Sequence, residues 1–281
     1  MSGWCRVRWV SRAVLAAALL AVAVSCVTPT GRHAVRVKGS DTMLELNRRL
    51  AEAYMRAHKG VAIIVEGGGT RSGVEALVAG EVDLCAASRP FSPTEIAAIH
   101  QGSGTLGVRF LVARDALSIY LNPANPVLDV SSDDLAAIFD GSFARWSEVG
   151  GDDVPIVVVI RPPTSGSHRF LRDHLLGGGP FAPGAVVVAR TSDVVDRVSA
   201  APGAIGFGGV AQGRDLIHCA VDGAEPAAGE VREGRYPLAR YLYLYSARPP
   251  SGVVRQFLDW CLGPDGQAVV EEVGFLALWA D

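Results

Sequence analysis

The chain has 281 residues, of which 49% are hydrophobic and 20% are charged. This length suits one large domain or two modest ones, and the composition is that of a globular protein and not of a disordered one. A formal net charge of -3 and the lack of a basic block argue against nucleic-acid binding. An anion can still bind, because local donors decide that and total charge does not.

The N-terminal residues are typical of an export signal. A positively charged start precedes an unbroken apolar run at 13–24, which is too short to span a bilayer. The run ends at Ala23-Val24-Ser25-Cys26, which resembles a lipoprotein processing site, although leucine usually stands where Ala23 does. We expect residues 1–25 to be a signal peptide and residues 26–33 a tether lipidated at Cys26. An ordinary secretory signal is the alternative.

The remaining cysteines and the histidines suggest no metal centre. Cys85, Cys219 and Cys261 fit no zinc spacing, and the six histidines are scattered. One disulfide is possible in an exported protein, and the sequence leaves its pairing open. Cys85 lies in a strand that looks buried and is expected to be an inert core thiol. We therefore expect neither a metal nor a cofactor.

The first part of the chain repeats the order strand, polar turn, helix. Such alternation favours a mostly parallel sheet with helices on its faces. Thr42 with Glu45, and Ser72 with Glu75, have the spacing of capping boxes, and Ser92-Pro93-Thr94-Glu95 predicts a third helix start. The predicted strands lie at 35–38, 61–66 and 81–87, and the first two helices at about 43–58 and 74–79.

Each of these strands runs into a polar turn. The turns are Gly39-Ser40-Asp41-Thr42-Met43, the glycine-rich stretch 67–73, and Ser88-Arg89. In open sheets of this kind, ligands bind beyond the carboxyl ends of the strands. The three turns should therefore meet in one crevice.

A second set of elements follows the turn at 122–126. The turn itself comes after a predicted strand at 116–121. The remaining predictions are helices at 133–139, 168–176, 253–262 and 267–273, with strands at 154–160, 203–208 and 241–245.

The stretch from Arg161 to Ser167 has the features of an anion site. Arg161 follows the apolar strand 154–160, and Ser165, Gly166 and Ser167 stand at a helix start. A helix N-terminus offers unpaired N–H groups and a partial positive charge. The arginine adds a planar fork that matches a phosphate or carboxylate edge. A capped helix beside a surface arginine is the plainer alternative.

With these motifs together, the chain resembles the phosphate-binding proteins of bacterial ABC transporters. The resemblance covers essentially the whole mature chain and depends on many motifs in order. They are residues 39–43, 67–73 and 83–90, Asn122-Pro123 to Pro126, 138–141 with Trp146, Arg161 with 165–167, 203–206 and 263–267.

The resemblance implies an α/β fold of two lobes, the type 2 periplasmic-binding-protein fold. Each lobe would be a mostly parallel sheet flanked by helices, and the two would be joined by crossing hinge strands at or near 117–121 and 241–245. Lobe 1 would comprise residues 34–116 plus 241–281, and lobe 2 residues 117–240.

The resemblance also implies which residues hold the anion. Asp41 is a possible proton acceptor, and Arg71 and Arg89 are weaker candidates for contact. Some members of the family carry an aspartate where Ser88 stands, which leaves the choice between phosphate and sulfate open. The implied set is Ser40, Thr42, Met43, Thr70, Ser88, Arg161, Ser165, Gly166 and Ser167.

We therefore predict a monomeric, non-enzymatic receptor that captures inorganic phosphate outside the cytoplasmic membrane and delivers it to an ABC permease. Alternatives are another oxyanion, such as sulfate or molybdate, and a phosphate sensor or scavenger without a permease. A serine hydrolase is disfavoured, because there is no G-x-S-x-G elbow. His168 is also not placed as a base for Ser167, since adjacent helical residues point apart.

Overall fold

A computed structural model describes residues 34–279, so the expected signal peptide and the tether with Cys26 lie outside the described residues. The strands are β1 (Val35–Gly39), β2 (Ile63–Glu66), β3 (Leu84–Ala87), β4 (Val108–Leu121), β5 (Asp129–Val130), β6 (Val157–Ile160), β7 (Val186–Val187), β8 (Ala204–Gly209), β9 (Ile217–Val221) and β10 (Ala239–Ser246). The helices are α1 (Leu44–Ala57), α2 (Thr70–Ala79), α3 (Pro93–Ser103), α4 (Ser132–Asp140), α5 (Gly166–Leu175), α6 (Thr191–Ala200), α7 (Ala228–Arg232), α8 (Gly252–Leu262) and α9 (Pro264–Val273). Short 3-10 helices lie at Asp41–Met43 and Trp146–Val149.

The strands follow the order β2-β1-β3-β10-β4-β8-β6-β7. β1 pairs in parallel with β2 and β3, and β6 pairs in parallel with β7 and β8. β3 is buried along its whole length, as expected for a strand covered by helices on both faces. The mixed α/β, two-lobed fold predicted from the sequence is confirmed.

β4 is the long strand that joins the two lobes. Its first part pairs with β10 in antiparallel fashion, from Val108 to Ala116. From Leu117 onward it pairs with β8 and also with β9. β4 thus changes its pairing partner between Ala116 and Leu117, and β10 runs back beside it, where Ala239 faces Ala116.

The hydrophobic cores divide along the same line. One pair of clusters contains buried side chains from 35–113 and 242–275, among them Leu46 and Leu242. The other pair contains side chains from 116–238, together with Leu276. The exact lobe boundaries given above stay a prediction.

The structure corrects two predicted helix starts. Thr42 does not cap a helix, because it lies within the 3-10 helix and its hydroxyl bonds to Ser167 of the other lobe at 3.0 Å. Ser72 is also not a cap: α2 already begins at Thr70, and Ser72 donates to the carbonyl of Gly69. Thr42 therefore belongs to the contact between the lobes, and Ser72 bonds within its own turn.

The capping box at Ser92 and Glu95 is confirmed, with Pro93 as the first helical residue.

The cysteines and the helix lengths can be described for residues 34–279 as a whole. These cysteines are free and buried, and burial raises the pKa of the thiols, to about 12 for Cys219 and further for Cys85 and Cys261. No helix between residues 34 and 279 has the length and apolar character needed to cross a membrane.

Candidate functional site

The polar ends of several strands meet where the two lobes face each other. Thr42 follows β1, and Ser88 follows β3, while Ser167 lies in the first turn of α5 after β6. Thr42 Oγ1 and Ser167 Oγ are 3.0 Å apart, although 125 positions separate them in the chain. Thr70, Ser88 and Ser167 are buried, so their hydroxyl groups are withdrawn from water.

Gly166 lies against two hydroxyl groups of the facing lobe. A Cβ atom at this position would be 2.4 Å from Ser88 Oγ and 2.4 Å from Thr70 Oγ1. Thr70 Oγ1 itself accepts from the Ser88 N–H at 3.4 Å. The lobes therefore approach so closely here that only glycine fits, and the α5 N-terminus meets both hydroxyls.

Arg161 is the buried cation of the site. Its Nη2 donates to Asp41 Oδ2 at 2.6 Å and to the Ala189 carbonyl at 2.8 Å, and its Nη1 donates to Thr191 Oγ1 at 2.7 Å. Burial lowers the pKa of Arg161, and the facing Asp41 carboxylate opposes that shift. Because Asp41 and Arg161 come from different lobes, their ion pair holds the lobes together.

Two buried polar atoms at this site have no hydrogen-bond partner among the described residues, Ser88 Oγ and Arg161 Nε. Buried polar groups are nearly always bonded, and leaving one unmet costs about 1–3 kcal/mol. Anion oxygens are suitable partners for both atoms, because Arg161 Nε is a donor and the serine hydroxyl can donate or accept. The residues present therefore fit an oxyanion.

The start of α5 adds a preference for negative charge. Ser165 is the N-cap, and its hydroxyl accepts from the His168 N–H at 3.4 Å. The first N–H groups of a helix have no intrahelical partner and carry a partial positive charge. Gly166 and Ser167 provide two of these groups, beside the hydroxyls that face them.

Three other predicted residues have bonding or packing partners within the protein. Ser40 is buried, with its N–H bonded to Ala86, and its carbonyl accepts the Met43 N–H at 3.1 Å. The Met43 side chain belongs to a hydrophobic core. Asp41, the possible proton acceptor, already accepts from Gly68 N–H at 2.9 Å and from Arg161.

The two weaker candidates, Arg71 and Arg89, pair with carboxylates of their own lobe. Arg71 is exposed and lies 2.9 Å from Glu75. Arg89 is buried and binds both oxygens of Glu95, at 2.8 and 2.7 Å. Because Glu95 caps α3, this pair anchors a helix start, and the structure does not bring either guanidinium group into the hydroxyl cluster around Gly166.

Sequence reasoning missed Arg240. Its Nη1 donates to Ser167 Oγ at 2.9 Å, and its Nε donates to Asp115 Oδ2 at 2.8 Å. Burial raises the pKa of Asp115, and Arg240 opposes that shift. The available signal was a charged residue directly before each of two apolar runs, Asp115 before 116–121 and Arg240 before 241–245, since buried charges are rarely left unpaired.

His168 makes the stability of this region depend on pH. Its Nδ1 lies 2.6 Å from the Arg161 carbonyl, and burial lowers the pKa of the ring. The unfolded chain therefore binds a proton near the ordinary value of about 6.5 before the folded protein does. Stability from this group is complete above that pH and is lost as the pH falls toward the lower pKa of the folded state.

We therefore expect His168→Gln to reduce the acid-induced fall in melting temperature below about pH 6.5. The measurement is a series of thermal unfolding curves across this range. His174→Gln, at an exposed position of the same helix, is measured in parallel as the control for loss of a histidine. Parallel profiles for His168→Gln and the parent protein would contradict the assignment.

Residues 27–265 match the sequence model of the PBP superfamily domain. The chain belongs to this superfamily. It is a family of substrate-binding proteins and not of enzymes. The match confirms the resemblance that the motifs indicated.

Similar proteins span most of the chain. The phosphate-binding protein PstS of Bacillus subtilis is 29% identical over 249 residues, which cover 85% of this chain and 79% of that protein. The PstS of Pseudomonas aeruginosa is 28% identical over 263 residues, covering 85% and 81%. A Clostridium perfringens phosphate ABC transporter substrate-binding protein, solved with bound phosphate, superposes with a TM-score of 0.80 at 23% identity, covering 88% of this chain and 100% of that one.

Proposed function

We propose that this protein is an extracytoplasmic receptor that encloses inorganic phosphate between its two lobes and delivers it to an ABC permease. The observation that carries the proposal is the pair of buried, unpartnered atoms, Ser88 Oγ and Arg161 Nε, where the lobes meet. The names of the relatives in Bacillus subtilis and Pseudomonas aeruginosa support phosphate as the ligand. The binding set is Thr42, Thr70, Ser88, Arg161, Ser165, Gly166 and Ser167, with Ser40 and Met43 shaping the turn that presents Thr42.

The energetics permit tight binding. A hydrogen bond to a charged group contributes roughly 1.5–3 kcal/mol, and micromolar affinity requires about 8 kcal/mol. Several donors around a desolvated dianion exceed that after the costs of ordering. Since donors come from both lobes, the anion favours the closed state over the open one.

Ser88 decides between phosphate and sulfate in this proposal. Phosphate carries a proton near neutral pH and sulfate does not, so discrimination needs an acceptor in the site. Asp41 is held in place by the Gly68 N–H and by Arg161, with one hydrogen bond to each oxygen, so it is less free to turn toward the ligand than Ser88. The unpartnered Ser88 hydroxyl remains, and it can accept through its oxygen.

We expect Ser88→Ala to weaken phosphate binding by about tenfold, the effect of one hydrogen bond to a charged ligand. Its effect on sulfate or molybdate should be smaller. Calorimetric titration of each anion measures both affinities. An equal loss for every anion would mean that Ser88 is a general donor and that selectivity arises elsewhere.

The experiment that tests the function is calorimetric titration of the exported chain carrying Cys26→Ser, after bound phosphate has been removed. Phosphate, sulfate and molybdate are titrated in turn. Tight binding of phosphate without a sulfate signal supports the receptor. Binding of sulfate or molybdate alone would change the ligand, and the absence of any anion binding would refute the receptor function.

We also propose that the protein is exported, is anchored by lipid at Cys26, works as a monomer and has no catalytic activity. The small residues before Cys26 support the anchor. Metabolic labelling with a fatty acid, compared between the parent chain and Cys26→Ser, tests it.

Loss of phosphate uptake on deletion of the gene would separate transport from sensing or scavenging.

A further inference from the structure

A buried ion pair lies at the hinge between the lobes. Asp115 of β4 stands directly opposite Arg240 of β10 in the antiparallel register. Both side chains are almost fully buried, at 0% and 2% exposure, and Arg240 Nε donates to Asp115 Oδ2 at 2.8 Å. The other carboxylate oxygen accepts the Val210 N–H at 3.0 Å, just after β8. Asp115 therefore holds Arg240 with one oxygen and is itself bonded, through the other, to the chain just after β8.

Arg240 connects this ion pair to the anion site. Its Nη1 donates to Ser167 Oγ at 2.9 Å, and Ser167 Oγ lies 3.0 Å from Thr42 Oγ1. The guanidinium group also stacks over the Phe170 ring at 5.5 Å, which limits its freedom to turn away. A continuous series of hydrogen bonds therefore runs from the hinge strands to one site hydroxyl of each lobe.

The direction of these bonds determines what Ser167 can offer a ligand. Arginine only donates, so the Ser167 oxygen must accept from Arg240. That contact occupies one lone pair of Ser167, and when Thr42 donates to the other, the Ser167 hydrogen is available for the anion. A donor that carries charge also polarises the hydroxyl and strengthens the next hydrogen bond in the series.

We propose that Arg240 is a positioning residue of the anion site. It orients the Ser167 hydroxyl as a hydrogen donor to the bound anion, and Asp115 holds Arg240 in place and balances its charge. This inference depends on the proposed function in one respect, namely that Ser167 contacts the ligand. Arg240 acts through Ser167 and not through the stability of the hinge.

Stability and binding can be separated because a buried ion pair can often be replaced by apolar residues of similar volume without loss of stability. The variant is therefore Asp115→Leu with Arg240→Met, which removes both charges together. It is made in the parent chain and again with Ser167→Ala. Phosphate affinity is measured by calorimetry, and melting temperature is measured for each protein.

The expected result is that the double substitution raises the phosphate Kd by about tenfold in the parent chain. With Ser167→Ala already present, the same substitution should change the Kd less than about twofold, because the residue through which Arg240 acts is gone. Arg240→Lys, made with Asp115 unchanged, should lose less affinity than the double substitution. Lysine keeps the charged donor but loses the planar fork.

The matched control is Arg114→Met, which removes an arginine from the same strand as Asp115. Arg114 stacks over Tyr241 at 5.5 Å and has no carboxylate partner among residues 34–279. It should leave the phosphate Kd unchanged. Equal losses with and without Ser167, or no loss in the parent chain, would overturn the role of Arg240. A parent chain that binds no anion would instead refute the proposed function.

Discussion

Replacing Arg161 with alanine should weaken phosphate binding by about thirtyfold or more, because truncating one partner of a buried charge pair costs roughly 2–5 kcal/mol. The substitution removes the buried cation and leaves Asp41 without its partner at 2.6 Å. An unpaired carboxylate in the site then repels the anion. Calorimetric titration measures the loss.

A second variant separates the two causes. In Arg161→Ala with Asp41→Asn, the repulsion is gone but the donors of Arg161 are still missing. We expect partial recovery of affinity. Full recovery would mean that Arg161 only neutralises Asp41 and does not contact the anion, and an unchanged Kd for Arg161→Ala alone would remove Arg161 from the site.

The control for the loss of an arginine is Arg255→Ala. Arg255 also pairs with an aspartate, Asp259, at 2.7 Å, but the pair is exposed on α8. Exposed ion pairs contribute only about 0–1 kcal/mol to stability. The Kd for phosphate should therefore remain that of the parent chain.

Gly166→Ala should abolish phosphate binding while the protein remains folded. The added Cβ would meet the Ser88 and Thr70 hydroxyls at 2.4 Å, closer than such atoms approach. The two hydroxyl groups would have to rotate away or the lobes would have to move apart, and in either case the donors of the two sides could no longer reach one anion. Alanine is otherwise acceptable here, because the first helical position favours it over glycine.

Small-angle scattering gives the second measurement for Gly166→Ala. The parent chain should become more compact when phosphate is added, and the variant should not. Gly229→Ala is the matched control, since this glycine is also helical but has open space where a Cβ would be. Gly166→Ala with parental affinity would contradict the close approach of the lobes at this glycine.

The local sequence determined where the site lies along the chain. Alternating strands and helices, each strand followed by a polar turn, predicted which ends would meet. Ser92 with Glu95 predicted a helix start that the structure confirms. These features depend on neighbours a few positions apart, and the periodicity and capping preferences of nearby residues are sufficient to specify them.

Tertiary structure alone decided which polar groups bind each other. Asp41 and Arg161 are 120 positions apart, and Asp115 and Arg240 are 125 apart. Their pairing depends on the crossing of β4 and β10 and on the register between them, which local patterns do not encode. The same reason explains Thr42, whose hydroxyl fits a helix cap by spacing but binds Ser167, because closure of the lobes brings a stronger network within reach.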